Sequence, residues 1–338
     1  MVTGHRFAGL VPLALAACLS TEELVPPTAD QDPALPQVAL RVAGHLRAVH
    51  LERHGDPSAP VLLVLHGSLS DFRSLRPLQA LSDRYHVILW DQRGNGLSER
   101  IAADEYTFDS IVEEIARIKE RFSPDRPVTL VGHSFGASYA VLYTSRRPDD
   151  VAQIALLEPP GLRGDILSAT FADFFQVDLS SSALSATYWQ NRVLSPSAHA
   201  EMDYKALLLI EDGSQLAYFC DREHPPHWPL WRPGAYVDYV RGLRMGGSFS
   251  SASFRFDFTH GVEQFPREVL LVGSSCSALG AAYQRKHHQA LFREARVVEI
   301  EGAGHRMTVE QPEAVIEALR GYLEEYRHPV GNAGLGAH

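Results

Sequence analysis

VTLVGHSFGASYAVLY, residues 128–143, passes from an apolar run typical of a buried strand into an apolar-faced helix. Between them, Gly132 to Gly136 read GHSFG and match the pattern G-x-S-x-G. Two glycines permit a sharp strand-to-helix turn that leaves the central serine in a strained conformation with its hydroxyl exposed. The helix N-terminus and the amide of Phe135 can stabilise a negatively charged oxygen there. The stretch therefore predicts that Ser134 is a nucleophile.

The pattern around this stretch alternates between strands and helices. The predicted strands are 38–42, 45–51, 61–65, 86–91, 128–131, 153–157, 269–272 and 296–300. The predicted helices are 72–82, 108–122, 135–147, 281–293 and 310–326. Several strands are continuous apolar runs, which indicates a sheet that is buried on both faces. We therefore expect an α/β fold with a mostly parallel central sheet flanked by helices.

One long segment, residues 161–265, interrupts the alternation after the sixth strand and is rich in aromatic residues and proline. We interpret it as a cap or lid inserted above the sheet. The core domain would then comprise residues 38–160 and 266–327. Residues 328–338 are expected to be a disordered tail.

The N-terminus has the features of an export signal. A weakly basic start is followed by an apolar run, residues 7–17, that is too short to span a bilayer. Residues 15–18, LAAC, resemble a bacterial lipobox, so we expect a signal peptide over 1–17, lipidation of Cys18 and a Pro-rich tether over 18–37. An ordinary signal peptide that contains Cys18 is the alternative. Leu19 favours outer-membrane sorting if the host is Gram-negative, so we expect a lipid-anchored protein of the bacterial cell envelope.

Composition and charge exclude some classes of partner. The 338 residues carry a formal net charge of −10 with no dense Lys/Arg run, which argues against nucleic-acid binding. A small-molecule substrate and the membrane are the expected partners, with no cofactor and no metal. Besides Cys18, the chain has Cys220 and Cys276; we expect two unpaired buried thiols, although the spacing leaves pairing open.

The turn at residues 132–136, called the nucleophile elbow below, and three further segments make the chain resemble the α/β-hydrolase fold superfamily over residues 38–326. The first, His66-Gly67-Ser68, is similar to the superfamily's oxyanion loop and implies the amide of Ser68 as a donor beside that of Phe135. The second, WDQRGNGLSER at 90–100, resembles proline iminopeptidases and related hydrolases. It is largely a structural turn in that family, so Asp91 and Arg93 are given no catalytic role.

The third segment, GAGHRMTVEQPEAV at 302–315, is similar to the superfamily's catalytic-histidine loop and the helix after it. It implies that His305 is the general base. A serine hydroxyl is a weak nucleophile at neutral pH and needs an imidazole to take its proton.

The acid of the triad is missing from its usual place. The resemblance puts it at Cys276, but no Asp or Glu lies between Glu268 and Glu294. Glu158, at the end of the strand in AQIALLEPPGL (152–162), is the alternative, and certain haloalkane dehalogenases resemble this arrangement. The chain order Ser134, Glu158, His305 fits the fold. The competing hypothesis gives Glu158 only a salt bridge or a capping role at the start of the cap.

The cap offers weaker candidates. A metal site is conceivable but not favoured, because prolines and tryptophans surround its ligands Cys220, His224 and His227 with Asp221 or Glu223. Acids that could bind a substrate amine, but fit a solvated face better, are Glu201, Asp203, Glu211 and Asp212. Tryptophans that could line an apolar pocket are Trp189, Trp228 and Trp231.

These features favour a serine hydrolase acting on a small carboxylic ester, thioester, lactone or amide. A serine at the elbow argues against dehalogenases and epoxide hydrolases, which use aspartate there. A proline iminopeptidase-like peptidase is the second hypothesis, although HGSLSD departs from that family's HGGPG-like loop. A catalytically inactive, lipid-anchored binding protein is the third hypothesis and belongs to a different class.

Overall fold

The computed structural model describes residues 26–174, 197–211, 213, 215–246 and 253–325. Its strands are β1 (Gln37–Val42), β2 (His45–His54), β3 (Val61–Leu65), β4 (His86–Trp90), β5 (Val128–His133), β6 (Val151–Leu157), β7 (Val269–Ser274) and β8 (Ala295–Ile300). They form one sheet in the order β1-β2-β4-β3-β5-β6-β7-β8. Strands β1 and β2 form an antiparallel hairpin joined by two residues, and β2 also pairs antiparallel with β4. Strands β4, β3, β5, β6, β7 and β8 are parallel to one another. The predicted α/β architecture is confirmed.

The sheet is buried on both faces because its central strands are apolar at every position. In β3, Val61, Leu63 and Leu65 belong to the hydrophobic core on one face, and Leu62 and Val64 belong to the core on the other. All five side chains are no more than 1% exposed. Because β3 to β8 are parallel, their C-terminal ends share one edge of the sheet.

The helices cover both faces and the C-terminal edge. The α-helices are α1 (Phe108–Phe122), α2 (Phe135–Arg146), α3 (Gly164–Phe174), α4 (Ala198–Glu211), α5 (Ala235–Arg244), α6 (Ala281–His287), α7 (Met307–Glu310) and α8 (Pro312–Glu325). Short 3₁₀ segments span Phe72–Asp83, Pro148–Asp150, Leu216–Tyr218, Val262–Gln264 and Gln289–Leu291. In the described part of the segment 161–265, α3, α4 and α5 are the α-helices.

Two predicted helices differ from those observed. The segment 72–82 forms 3₁₀ helix rather than α-helix, and Pro77 lies inside it, where it cannot donate a backbone hydrogen bond. The helix predicted over 281–293 ends at His287, and a 3₁₀ turn follows. Here the Gln284 carbonyl accepts the His288 amide and closes the helix.

The N-terminal expectations fall partly outside the described residues. The predicted signal peptide over 1–17 and Cys18 are not among them. The tether predicted over 18–37 is described from Pro26, and there it is wrong: Thr28 and Ala29 are each 2% exposed, and the Ala29 amide donates to the Leu97 carbonyl at 2.7 Å. Among the described residues, no helix is long and apolar enough to span a bilayer. The expected tail, 328–338, also lies outside them.

Cys220 and Cys276 form a disulfide with a Cα–Cα distance of 5.2 Å. The expectation of two unpaired thiols was wrong, because the chain after α4 returns over the loop that follows β7. The Cys276 amide donates to the Ala303 carbonyl at 2.9 Å, and the Cys220 amide donates to Glu310 Oε1 at 2.7 Å. The bridge also takes the Cys220 sulfur away from the conceivable metal site.

Candidate active site

Ser134 lies at the sharp turn between β5 and α2, with φ 53° and ψ −125°. The glycines on either side allow this turn. A Cβ on Gly132 would lie 2.4 Å from the Gly136 carbonyl oxygen, and one on Gly136 would lie 2.2 Å from the Leu65 carbonyl oxygen. A side chain at either position would clash with the backbone, so the sharp turn requires the two glycines of G-x-S-x-G.

Backbone strain is concentrated at this edge of the sheet. Among the described non-glycine residues, four have positive φ, and three of them lie here: Leu69 (45°), Ser134 (53°) and Glu158 (47°). Such conformations persist only where the surrounding structure imposes them, and they cluster at functional sites.

His305 lies in the loop between β8 and α7 and is 5% exposed. The elbow itself holds this loop, since His133 Nε2–H donates to the His305 carbonyl at 2.8 Å. The two imidazole rings are 4.6 Å apart between centroids. His133, the residue before Ser134, thus ties the loop that carries His305 to the turn that carries Ser134. Sequence reasoning missed this role, and nothing in the pattern signals it.

Glu158 follows β6 and is completely buried. The His305 Nδ1–H donates to its Oε2 at 2.6 Å, and its own amide donates to the Val272 carbonyl of β7 at 2.9 Å. The structure thus brings together the acid and the imidazole that the sequence suggested. The hypothesis that Glu158 only caps the entry to the cap does not account for this contact.

The neutral loop after β7 surrounds that carboxylate with donors. Glu158 Oε1 accepts the amide of Ser274 at 2.8 Å and its hydroxyl at 2.6 Å. Glu158 Oε2 accepts the Ser277 hydroxyl at 2.9 Å. The loop that lacks an acid therefore hydrogen-bonds the acid supplied by its neighbouring strand.

Burial dominates the electrostatics of this pair. It raises the pKa of Glu158 to about 7, although the hydrogen bonds from Ser274 and Ser277 act to lower it. Burial, followed by the positive charge of Arg306, holds the pKa of His305 well below its usual range. His305 is therefore neutral near neutral pH, the form in which an imidazole can accept a proton.

The predicted oxyanion donors belong to two segments that adjoin Ser134. Phe135 is the first residue of α2, so its amide has no partner inside the helix. The loop that carries Ser68 packs directly on the nucleophile: a Cβ on Gly67 would lie 2.7 Å from the Ser134 Cβ. The next amide, that of Leu69, donates to Asp238 Oδ2 at 2.7 Å and fixes the loop.

Helix α5 contributes a residue that no sequence motif signalled. Arg241 donates from Nη2 to the Ser68 hydroxyl at 2.5 Å, and its guanidinium lies 4.0 Å from the centroid of the Phe135 ring. Its Nη1 lies 2.7 Å from Asp238 Oδ1. A buried ion pair from the inserted segment thus holds both oxyanion residues. Such a role depends on long-range packing, which a local pattern cannot reveal.

The stretch 90–100 braces this loop from behind. The Gln92 amide donates to His66 Nε2 at 3.1 Å, and its side chain donates to the His66 carbonyl at 2.8 Å. Asp91 accepts the Phe72 amide at 3.0 Å, and Arg93 forms a buried ion pair with Glu114 at 3.0 Å. These contacts are structural.

The cap candidates are mostly committed to structural contacts. Asp203 is 1% exposed, pairs with Arg100 at 2.8 Å and accepts the Ala235 amide at 2.9 Å. Glu201 pairs with Lys205. The Trp231 amide donates to Asp71 Oδ2 at 2.7 Å. The positions that lie outside the described side chains are Trp189, Glu211 and Asp212.

Comparisons with known proteins agree with this architecture. The family model for the alpha/beta hydrolase fold matches residues 60–311. A proline iminopeptidase, PfmaB of Pestalotiopsis fici, is 24% identical over 291 residues, which cover 80% of this chain and 94% of that protein. A 2-(acetamidomethylene)succinate hydrolase of Mesorhizobium japonicum is 25% identical over 276 residues, covering 79% and 89%.

Solved structures show the same fold. A thermophilic esterase from Thermogutta terrifontis, solved with malate bound, superposes with a TM-score of 0.62 at 20% sequence identity. The match covers 86% of this chain and 98% of the esterase chain. At this identity the likeness concerns the fold alone.

Proposed function

Since the chain belongs to the alpha/beta hydrolase fold family, we propose that it is a serine hydrolase that cleaves a small carboxylic ester, thioester, lactone or amide through an acyl-enzyme. Ser134 is the nucleophile, His305 the general base and Glu158 the acid of the triad. The amides of Ser68 and Phe135 form the oxyanion hole.

In the first half-reaction, Ser134 Oγ attacks the carbonyl carbon while the neutral imidazole of His305 takes the hydroxyl proton. The carbonyl oxygen becomes an oxyanion that accepts hydrogen bonds from the two amides. Glu158 accepts the Nδ1–H and stabilises the imidazolium that forms. His305 then donates its proton to the departing alcohol, thiol or amine, which leaves the acyl group on Ser134.

In the second half-reaction, water replaces the leaving group. His305 takes a proton from water as the water oxygen attacks the acyl carbon. Collapse of this second intermediate returns the proton to Ser134 Oγ and releases the carboxylic acid. The enzyme ends in its starting state, so no cofactor enters the cycle.

The 2.6 Å hydrogen bond between Glu158 and His305 carries this proposal. A carboxylate costs several kcal/mol to bury, and here it is buried completely, in a strained backbone conformation, with four hydrogen-bond donors around it. An acid in such a position orients an imidazole for proton transfer. A retired site on a binding protein would have no need for it.

The same geometry favours an esterase-like enzyme over an iminopeptidase. A peptidase that recognises a free amine needs an acid for the ammonium, but Asp203 and Glu201 are engaged with Arg100 and Lys205. The charged side chain that contacts the oxyanion loop is instead a cation, Arg241 of α5, which donates to the Ser68 hydroxyl. The iminopeptidase-like activity remains the second proposal, on the strength of relatives such as the Pestalotiopsis protein.

We also propose that the protein works in the bacterial cell envelope, anchored through a lipid on Cys18. The Cys220–Cys276 disulfide supports export, because disulfides persist mainly in oxidising compartments. Cys18→Ala should shift the expressed protein from the membrane fraction to the soluble fraction. Retention in the membrane fraction would mean that Cys18 is not the anchor.

Replacement of the nucleophile tests the proposed chemistry. Ser134→Ala should abolish hydrolysis of 4-nitrophenyl acetate and butyrate, leaving only residual turnover, because no hydroxyl remains to form the acyl-enzyme. Ser145→Ala is the matched control: this serine lies on the same helix, and its hydroxyl donates to the Leu142 carbonyl at 3.0 Å. It should retain wild-type turnover. Undiminished hydrolysis by Ser134→Ala would remove Ser134 from the mechanism.

A further inference from the structure

Arg306 directly follows His305, and it is a buried cation that pairs with no acid among the described residues. Its side chain is 4% exposed. Nη2 donates to Gln215 Oε1 at 2.5 Å, and the guanidinium lies 3.7 Å from the Trp228 ring centroid and 5.4 Å from that of Tyr218. Within the described part of the chain, no carboxylate pairs with it, and its Nε has no acceptor.

Two other buried arginines, Arg93 and Arg241, are paired with acids. Arg93 pairs with Glu114 at 3.0 Å, and Arg241 pairs with Asp238 at 2.7 Å. Burial lowers the pKa of Arg306 to about 10, so the side chain still carries its charge at neutral pH. Leaving a buried charge without a counter-charge is strongly destabilising. A fold that keeps one beside its catalytic histidine has a reason that lies outside its own packing.

The position of the charge relates it to the chemistry. The Tyr218 ring that flanks Arg306 also lies 5.8 Å from the His305 ring. The charge is near enough to lower the pKa of both His305 and His133. Arg306 therefore lies close to the histidine of the site.

We propose that Arg306, held by Gln215 and stacked on Trp228 and Tyr218, is a subsite for a carboxylate on the substrate. This inference rests on the proposed serine hydrolase and narrows its substrate class to esters, lactones or amides that also carry a free carboxylate. A guanidinium can bind a carboxylate through two parallel N–H donors, and stacking on aromatic rings fixes its plane in advance. The ligand would also supply the counter-charge that the described residues do not provide.

Matched substrate pairs test the subsite. We would measure kcat/KM by pH-stat for the monoethyl and diethyl esters of succinate, glutarate and adipate, where each diethyl ester caps the free carboxylate of its partner. The wild-type enzyme should prefer at least one monoester over its diester. Arg306→Gln should lower that preference on the order of 10–100-fold, the size of a hydrogen bond to a charged group. Arg306→Lys should retain part of it, since the charge stays but the fork is lost.

A control variant distinguishes binding at Arg306 from the effect of removing any one positive charge from the protein. Arg222→Gln removes an exposed arginine of the inserted segment, which also carries Gln215, Tyr218 and Trp228, and should leave the monoester preference intact. An equal loss in Arg222→Gln and Arg306→Gln would overturn the subsite. A wild-type preference for every diester would do the same.

Inhibition of the wild-type enzyme gives a test that needs no variant. Glutarate should compete with diethyl glutarate, and the neutral diamide of glutarate should not. If diesters are hydrolysed but neither a monoester preference nor glutarate inhibition occurs, the subsite is wrong and the proposed hydrolase stands. If no ester is hydrolysed and a fluorophosphonate fails to label Ser134, the proposed function falls and takes the subsite with it.

Discussion

The loops after β6 and β7 lie side by side at the same edge of the sheet, and both contribute to the site of Glu158, the proposed acid of the triad. The loop after β6 supplies the carboxylate of Glu158 and has no hydroxyl donors to it of its own. The loop after β7 has no acid, but Ser274 and Ser277 give that carboxylate three hydrogen bonds. The β7 loop also carries Cys276, at the position where the resemblance places the acid.

This difference separates two requirements that a triad acid must meet. The negative charge has to reach the imidazole Nδ1–H, and the charge has to be solvated by donors while buried. One loop commonly does both in the superfamily that the sequence resembles. Here parallel strands bring two loops to one edge, so the charge sits on one loop and most of its solvation on the other.

Moving the carboxylate from position 158 on the β6 loop to position 276 on the β7 loop tests the difference between the two loops with the largest expected effect. Glu158→Gln should lower kcat on the order of 10²–10⁴-fold, because an amide can hold the wrong tautomer and cannot stabilise the imidazolium. Adding Cys276→Asp should restore activity by about 10-fold or more. The backbone of position 276 lies beside the histidine loop, since its amide donates to the Ala303 carbonyl, two residues before His305.

The transplant needs a control because it also removes the disulfide to Cys220. Glu158→Gln with Cys276→Ser loses the same bridge and gains no charge. Recovery in the serine variant equal to that in the aspartate variant would show that the charge at 276 does nothing. Wild-type activity in Glu158→Gln alone would return Glu158 to a structural role.

Removing one donor sharpens the comparison with a smaller effect. The Ser277 hydrogen bond lowers the pKa of Glu158, which burial has raised to about 7. Ser277→Ala should raise that pKa further, and activity requires the ionised carboxylate. The acid limb of kcat/KM should therefore move to higher pH by about one to two units, with near wild-type activity recovered in alkali. The limb belongs to the coupled Glu158–His305 pair rather than to either group alone.

Ser275→Ala is the matched control for this shift. Ser275 lies in the same loop, but its hydroxyl accepts the Gly302 amide at 3.0 Å and does not contact Glu158. Its pH profile should match that of the wild type. A shift of equal size in both variants would mean that loop stability, and not the hydrogen bond, sets the limb.

Much of the fold could be predicted because local sequence patterns determine it. Each of the eight predicted strands is present, and β3 has its predicted bounds, because a run such as VLLVL can be buried on both faces of a parallel sheet. Ser134, Glu158 and His305 each follow a parallel strand, so they share the C-terminal edge of the sheet. Their hydrogen bond then follows from the topology.

The remaining features depend on contacts between distant parts of the chain. Arg241 reaches Ser68 across 173 positions, and Cys220 reaches Cys276 across 56. Neither contact has a local signature, because an arginine on a helix or a cysteine in a loop does not by itself indicate which distant residue it will contact. Arg306 was visible in the motif GAGHR, but its lack of a counter-charge became apparent only once the fold had placed its neighbours.

The rate at which a fluorophosphonate labels the enzyme tests the central claim most directly, because it reports the reactivity of Ser134 without requiring the natural substrate. The comparison is between wild type and Glu158→Gln, with Ser134→Ala as the blank. Rapid wild-type labelling, slowed on the order of 10²–10⁴-fold in Glu158→Gln, is the predicted result. Equal labelling rates in the two proteins would contradict the assignment of Glu158 as the catalytic acid.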